Sequence, residues 1–103
     1  MTMPRRPHTS RQAIATLGVL YDALPEWRHG YRLMQATGLK SGTLYPLLMR
    51  LADGGLLESR WEDSPQAGRP PRQLYRLTAE GQELARARMA EARETPASGA
   101  RTA

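Results

Sequence analysis

The chain of 103 residues has no cysteine and no phenylalanine, and only one of its fifteen basic residues is a lysine. Without cysteine there is no disulfide and no thiolate metal site. The two histidines, His8 and His29, lack the i, i+4 spacing with which a helix presents a metal pair, so no metal site is expected. No run approaches the ~18 consecutive apolar residues that span a bilayer. The opening Met-Thr-Met-Pro-Arg-Arg-Pro-His has no apolar stretch behind it of the kind a secretory signal carries, and a cytoplasmic protein is expected. Also missing are a nucleophile–base pair and a phosphate-cradling glycine loop. Asp53, Glu58, Glu62 and Asp63 alternate with basic residues as a solvated surface does. These absences argue against an enzyme and against a cofactor.

What remains is a short chain with a one-sided charge. It is long enough for one small domain. A core of that size supplies only a few kcal/mol of net stability, so association with a second copy is expected on size alone. The formal charge is +5. Residues 1–50 carry seven basic residues against two acidic ones, whereas residues 51–103 carry eight of each sign and cancel. The excess lies on the N-terminal part, which favours a polyanionic partner on one side of the molecule. Arginine suits bidentate contacts to phosphate and guanine. Its dominance over lysine, like the absent phenylalanine, is mostly compositional bias.

Hydrophobic spacing divides the chain. Residues 1–8 form a basic arm with no core pattern, and Arg5 and Arg6 read as an idle terminus. Thr9 with Gln12 makes a capping box that opens a first helix, and Ala13, Ile14, Leu17, Leu20, Tyr21 and Leu24 form its apolar stripe. Pro25 ends it, and Pro25 to His29 is a loop. A second helix runs from about Gly30 to Thr37, burying Leu33, Met34 and one face of Tyr31, with Gly38 in the left-handed position after it and Leu39 plugging the turn. A third helix starts within Ser41–Thr43 and ends near Asp53. Thr43 as its cap would keep Pro46 in the first turn, where a missing N–H is harmless. Leu44, Leu47, Leu48 and Leu51 are its buried stripe. Leu56 to Glu62 alternates as a half-buried strand, Asp63 to Gly68 turns, and Gln73 to Leu77 returns, with Pro70 and Pro71 suiting the start of an edge strand. Thr78 caps a fourth helix over 79–93. Its face of Leu84, Ala85, Met89 and Ala92 is narrow and gains most by packing on another helix. Residues 94–103 read as a disordered tail.

The expected fold is therefore α+β and mainly α: a winged helix-turn-helix over 9–78, with three helices and a two-stranded wing, followed by a helix at 79–93. Trp27 and Trp61 read as packing residues. Arg50 lies on the exposed side of the third helix, in reach of phosphate or of Asp53.

Five pieces of the chain, taken together, resemble the PadR family of bacterial transcriptional regulators. They are H-G-Y at 29–31, S-G-T-L-Y-P-L-L-M-R-L at 41–51, G-L-L-E at 55–58, G-R-P-P-R at 68–72 and Y-R-L-T-A-E-G at 75–81, in the family's order. The resemblance implies a homodimeric repressor that binds double-stranded DNA at a palindromic operator. It implies that Lys40, Ser41, Thr43 and Tyr45 reach into the major groove, that Arg69 and Arg72 on the wing meet phosphates or the minor groove, and that Tyr31 and His29 bond a phosphate. It also implies a dimer interface on the last helix, here Leu84, Ala85, Met89 and Ala92 with Ile14 and Leu17 of the first. Some relatives hold flat aromatic compounds at that interface. This last helix has no aromatic residue, a departure that leaves the effector, if there is one, unspecified. Two other readings use the same scaffold: a protein-interaction module, and a ligand-responsive sensor repressor.

Overall fold

The computed structural model describes residues 10–63 and 67–94. The order of elements is α1 (Arg11–Ala23), β1 (Arg28–His29), α2 (Gly30–Thr37), α3 (Ser41–Asp53), β2 (Leu57–Glu62), β3 (Arg72–Leu77) and α4 (Ala79–Glu94). The basic arm and the tail from residue 95 lie outside the described residues.

Helix α1 is capped by Ser10, whose hydroxyl accepts from the Ala13 N–H at 3.1 Å. The cap therefore falls one residue later than the Thr9 expected from the capping-box pattern, since serine and threonine side by side satisfy the same chemistry. The buried face of α1 is Ala13, Thr16, Leu17, Leu20 and Ala23. Thr16 is fully enclosed, and its hydroxyl donates back to the Gln12 carbonyl at 2.8 Å, so burial leaves no orphaned donor.

After Pro25 the structure departs from the expected loop. Arg28 and His29 form a short strand paired antiparallel to β3, Arg28 opposite Tyr75 and His29 opposite Leu74. The sheet thus has three strands in the order β1-β3-β2. β3 is its central strand, not an edge. Pro70 and Pro71 are tolerated because they precede the ladder and leave its hydrogen bonds intact. Two residues are too few to show a period of two, which is why β1 left no mark in the alternation.

The turn between α2 and α3 is held from both sides. Gly38 adopts φ 77°, and its N–H donates to the Met34 carbonyl at 2.8 Å. The Thr37 hydroxyl donates to the Leu33 carbonyl at 2.7 Å and accepts from the Leu39 N–H at 3.2 Å. Leu39 packs half-buried on the core, as its place in the turn predicts.

Helix α3 begins at Ser41, with Lys40 as the flanking residue, so Thr43 is not its cap. The Lys40 carbonyl accepts from both the Thr43 N–H (3.0 Å) and the Leu44 N–H (2.8 Å), a tightened first turn. Pro46 consequently lies inside the helix. The carbonyl its missing N–H would have served belongs to Gly42, and both residues are exposed, so water can take that partner's place. Leu44, Leu47, Leu48 and Leu51 are buried as their spacing predicts.

Helix α4 is tied to the end of α3 by Thr78. Its hydroxyl accepts from the Gly81 N–H (3.0 Å) and donates to the Gly55 carbonyl (2.6 Å), while its own N–H donates to the Leu56 carbonyl (3.0 Å). Gly55 takes φ 81°, a conformation that favours glycine. The core joining these elements is built almost entirely of leucine: Leu17, Leu20, Leu33, Leu44, Leu48 and Leu77 are all within 2% of full burial.

Strand β3 is buried on both faces: Tyr75 and Leu77 enter the core, and Leu74 is buried on the opposite face, apart from the core cluster. Arg60, opposite Leu74 in the ladder, and Arg76 both lay their guanidinium groups over the Trp27 ring, at 4.5 and 4.3 Å from its centre. Arginine stems and an indole ring thus cover the outer face of the sheet. Arg76 is also held by Glu58 at 3.0 Å.

Candidate nucleic-acid interface

Helix α3 buries its leucines and turns the rest of its surface outward. Lys40, Ser41, Thr43, Tyr45 and Arg50 are all exposed. Because Lys40 takes the flanking position, the hydroxyls of Ser41 and Thr43 sit in the first turn on the solvent side. Arg50 lies in the last turn, more than two turns further along. Met49, 67% exposed, shares this outer surface. Its position between the leucines of the buried stripe hid it from the sequence reading.

Beside the start of α3 is a groove of about 330 Å³. It is lined by His29, Gly30, Tyr31, Tyr45, Trp61, Pro71, Arg72 and Gln73. Four residues expected at the interface therefore meet here: His29, Tyr31, Tyr45 and Arg72. β1 is what brings the first two to the wing, by pairing the residue that precedes α2 with β3. The Tyr45 hydroxyl lies against Gly30, where a side chain would collide with it. Gln73, in the groove wall, is held by a hydrogen bond from the Tyr75 hydroxyl to its Oε1 (3.1 Å) and by one from its Nε2 to Ser59 (3.2 Å). Burial, with the neighbouring Tyr45 phenol adding to it, pushes the Tyr75 hydroxyl above its ordinary value, so it remains a neutral donor.

Three residues differ from their expected settings. Tyr31 is 64% exposed, so neither of its faces is spent on the core. Trp61, read as a packing residue, is 66% exposed at the groove. It has the parity of Leu57 and Ser59, but β2 runs past the helices, and among the described residues its far end is left largely uncovered. His29 bonds Glu62, from Nε2 to Oε1 at 2.9 Å, and Arg72 stands 3.9 Å from the same carboxylate oxygen. The hydrogen bond from His29 holds the Glu62 carboxyl below the usual carboxylate value. Partial desolvation opposes this, and the charges of His29, Arg72 and Arg60 assist it. The ladder pairs Glu62 directly with Arg72, an adjacency that a correct register would have made legible. Arg69 is exposed at the wing turn, next to Gly68 with φ 84°. Residues 64–66 of that turn lie outside the described residues.

The residues expected at a dimer interface separate into two groups. Leu17 and Ala85 are 1% and 0% exposed, spent on the chain's own core. Ile14, Leu84 and Met89 are half-buried and Ala92 is exposed, so these four remain open to a second copy. Among the described residues no group of three histidines, cysteines or carboxylates could hold a metal ion, and no helix is long and apolar enough to cross a membrane.

A helical pair with an exposed, hydroxyl-rich third helix beside a basic β-wing defines a winged helix-turn-helix, the architecture of DNA-binding regulators. Residues 16–87 match the transcriptional regulator PadR-like family, and the chain belongs to that family. It is accordingly a DNA-binding transcriptional regulator and not an enzyme. Among solved structures it is similar to a PadR-like transcription factor from Bacteroides fragilis, at 27% identity and TM-score 0.65, covering 82% of this chain and 84% of that one. It is also similar to a PadR family transcription regulator from Clostridium difficile R20291, at 24% identity and TM-score 0.65, over 78% and 88% of the two chains. Staphylococcus aureus MepR in its DNA-binding conformation shares the fold, at 22% identity and TM-score 0.69, over 82% of this chain and 59% of that one. None of the curated proteins matches the sequence.

Proposed function

We propose that the protein is a homodimeric, cytoplasmic repressor that binds a roughly palindromic DNA operator with half-sites about one helical turn (~34 Å) apart. The observation that carries this reading is the groove. It lies between the exposed start of α3 and the wing, and its walls are His29, Tyr31, Tyr45 and Arg72. A helix in the major groove and a wing beside it leave the sugar–phosphate strand to run between them. Side chains that donate hydrogen bonds and carry charge are what that strand requires. Lys40, Ser41, Thr43 and Tyr45 read base edges or position α3, Arg50 reaches phosphate from its last turn, and Arg69 extends the contact along the wing. Ile14, Leu84, Met89 and Ala92 supply the surface for the second protomer.

Selection of duplexes from a random pool by the purified chain tests the reading directly. An enriched inverted repeat is the expected product. A pool that stays unenriched at both low and near-physiological salt would favour a protein-interaction role instead. On the selected operator, replacing Arg69 and Arg72 by alanine is expected to weaken all duplexes alike and to lower the slope of log affinity against log salt by about one per phosphate contact removed. An unchanged slope would show that the wing stays clear of the phosphates.

A further inference from the structure

Glu62 is an acid placed on the face that phosphate is expected to approach, and it holds two of the groups assigned to phosphate. A single oxygen, Oε1, takes the His29 Nε2 at 2.9 Å and faces the Arg72 guanidinium at 3.9 Å. We infer that the Glu62 carboxylate occupies in the free protein the phosphate position between His29 and Arg72, and that a DNA phosphate must displace it to bind. The inference deepens the proposed function and rests on it.

Three features support displacement over a fixed structural pair. All three side chains remain partly open, 29% for His29, 45% for Glu62 and 52% for Arg72, so an incoming oxyanion has access to the same donors. At 3.9 Å the Arg72 contact is attraction without a hydrogen bond, which leaves the guanidinium donors available. His29 and Arg72 also line the groove itself, together with Tyr31 and Tyr45. An oxyanion held by His29 and Arg72 therefore lies beside the groove that Tyr31 and Tyr45 also line. A carboxylate and a phosphate diester each carry one negative charge and accept through oxygens, so the exchange conserves charge at the site. Its consequence is discrimination. A duplex that engages only the wing must break this pair for little return. An operator that also seats α3 recovers the loss.

The test compares Glu62→Gln with Glu58→Gln. Glu58 lies on the same strand and is similarly exposed, but it pairs with Arg76, which does not line the groove, whereas the partners of Glu62 do. E62Q is expected to bind random duplex on the order of threefold more tightly per protomer than the unchanged protein, as befits a partly exposed ion pair, with the gain shrinking as salt is added. E58Q is expected to gain clearly less. In an Arg72→Gln background the E62Q gain should fall. An E62Q protein that is folded but binds no more tightly, or gains no more than E58Q, overturns the inference, as does the same gain with Arg72 removed.

A second readout needs no DNA. The His29 ring resonances, followed during titration with inorganic pyrophosphate, are expected to move at lower concentration in E62Q than in the unchanged chain. If the unchanged chain binds no duplex at all, the proposed function fails, and this titration alone decides the inference. Ring resonances that respond alike in both proteins sink it.

Discussion

Gly30 shows how one missing side chain shapes the groove. A methyl group there would meet the hydroxyl and ring of Tyr45. The tyrosine can lie across the start of α2 because nothing projects from it. Replacing Gly30 by alanine is expected to push Tyr45 outward and to cost about 1–2 kcal/mol through overpacking. Gly42→Ala makes a fitting control, since a methyl group there has nothing within 4 Å. Added helix propensity should leave it neutral or slightly stabilised. Thermal unfolding of the two variants checks this, and equal melting temperatures would remove the argument. The sequence showed that a glycine opens α2. Its neighbour, fifteen residues further on and across a turn, could only come from the fold. Trp61 is the converse case. Alternation placed it on the correct face of its strand, but the point where the helices stop covering that face is a property of element lengths in three dimensions.

Among the elements, those with strong local chemistry were legible. Helix α2 and the left-handed Gly38 fall where the spacing and glycine placed them, and Thr78 caps α4 as expected. The misplacements arose where two local solutions competed. Thr9 and Ser10 are both good caps. Thr43 offered α3 a start that would spare Pro46, yet the structure begins at Ser41 and leaves the interruption on the solvent side. Strand β1 had no local signal, because its only reason to exist is its partner β3. Thr78 carries more than its own helix, since its hydroxyl reaches both Gly81 and Gly55. Thr78→Ala is expected to cost about 1–2 kcal/mol, the upper part of the range for a lost cap. Hydrogen exchange should quicken at the Gly81 amide before it does in α1. Uniform quickening in every helix would mean that the bond serves the whole domain rather than the start of α4. A tighter constraint acts one turn on, where a Cβ at Gly81 would collide with the Leu56 carbonyl. Glycine at 81 is thus dictated by the approach of another segment.

At the scale of the whole molecule, the charge asymmetry and the small leucine core point the same way. The basic half contains α1, α2 and most of α3, while the neutral half carries the wing and ends in α4; on the proposed reading each half serves both partners, Arg69 and Arg72 joining Lys40 and Arg50 toward phosphate and Ile14 joining Leu84 and Met89 toward a second copy. Length alone raised the expectation of a dimer; which residues remain open for one came only from the fold. Leu17 and Ala85 carry the right pattern but are consumed within the protomer. Ala92 is exposed near the end of α4, so Ala92→Glu should leave the fold intact and weaken the dimer. Sedimentation equilibrium is expected to show a dimer for the unchanged chain and a shift toward monomer for the variant. The melting temperature of the unchanged chain should rise with concentration, as folding coupled to association requires. A concentration-independent melting temperature with an unaltered mass in both proteins would place the second copy elsewhere.

The two residues of β1 also have a mechanical consequence. His29 is hydrogen-bonded into the sheet through β3, and the very next residue begins α2. No slack separates them. A tilt of the wing about its root must therefore drag the first turn of α2, and Tyr45 of α3 with it through Gly30. The hairpin and the helix pair behave as a single stiff jaw rather than as two independent fingers. A duplex whose groove spacing does not suit that jaw has to bend or twist to be held. Such a protein would register the stiffness of its target as well as its letters.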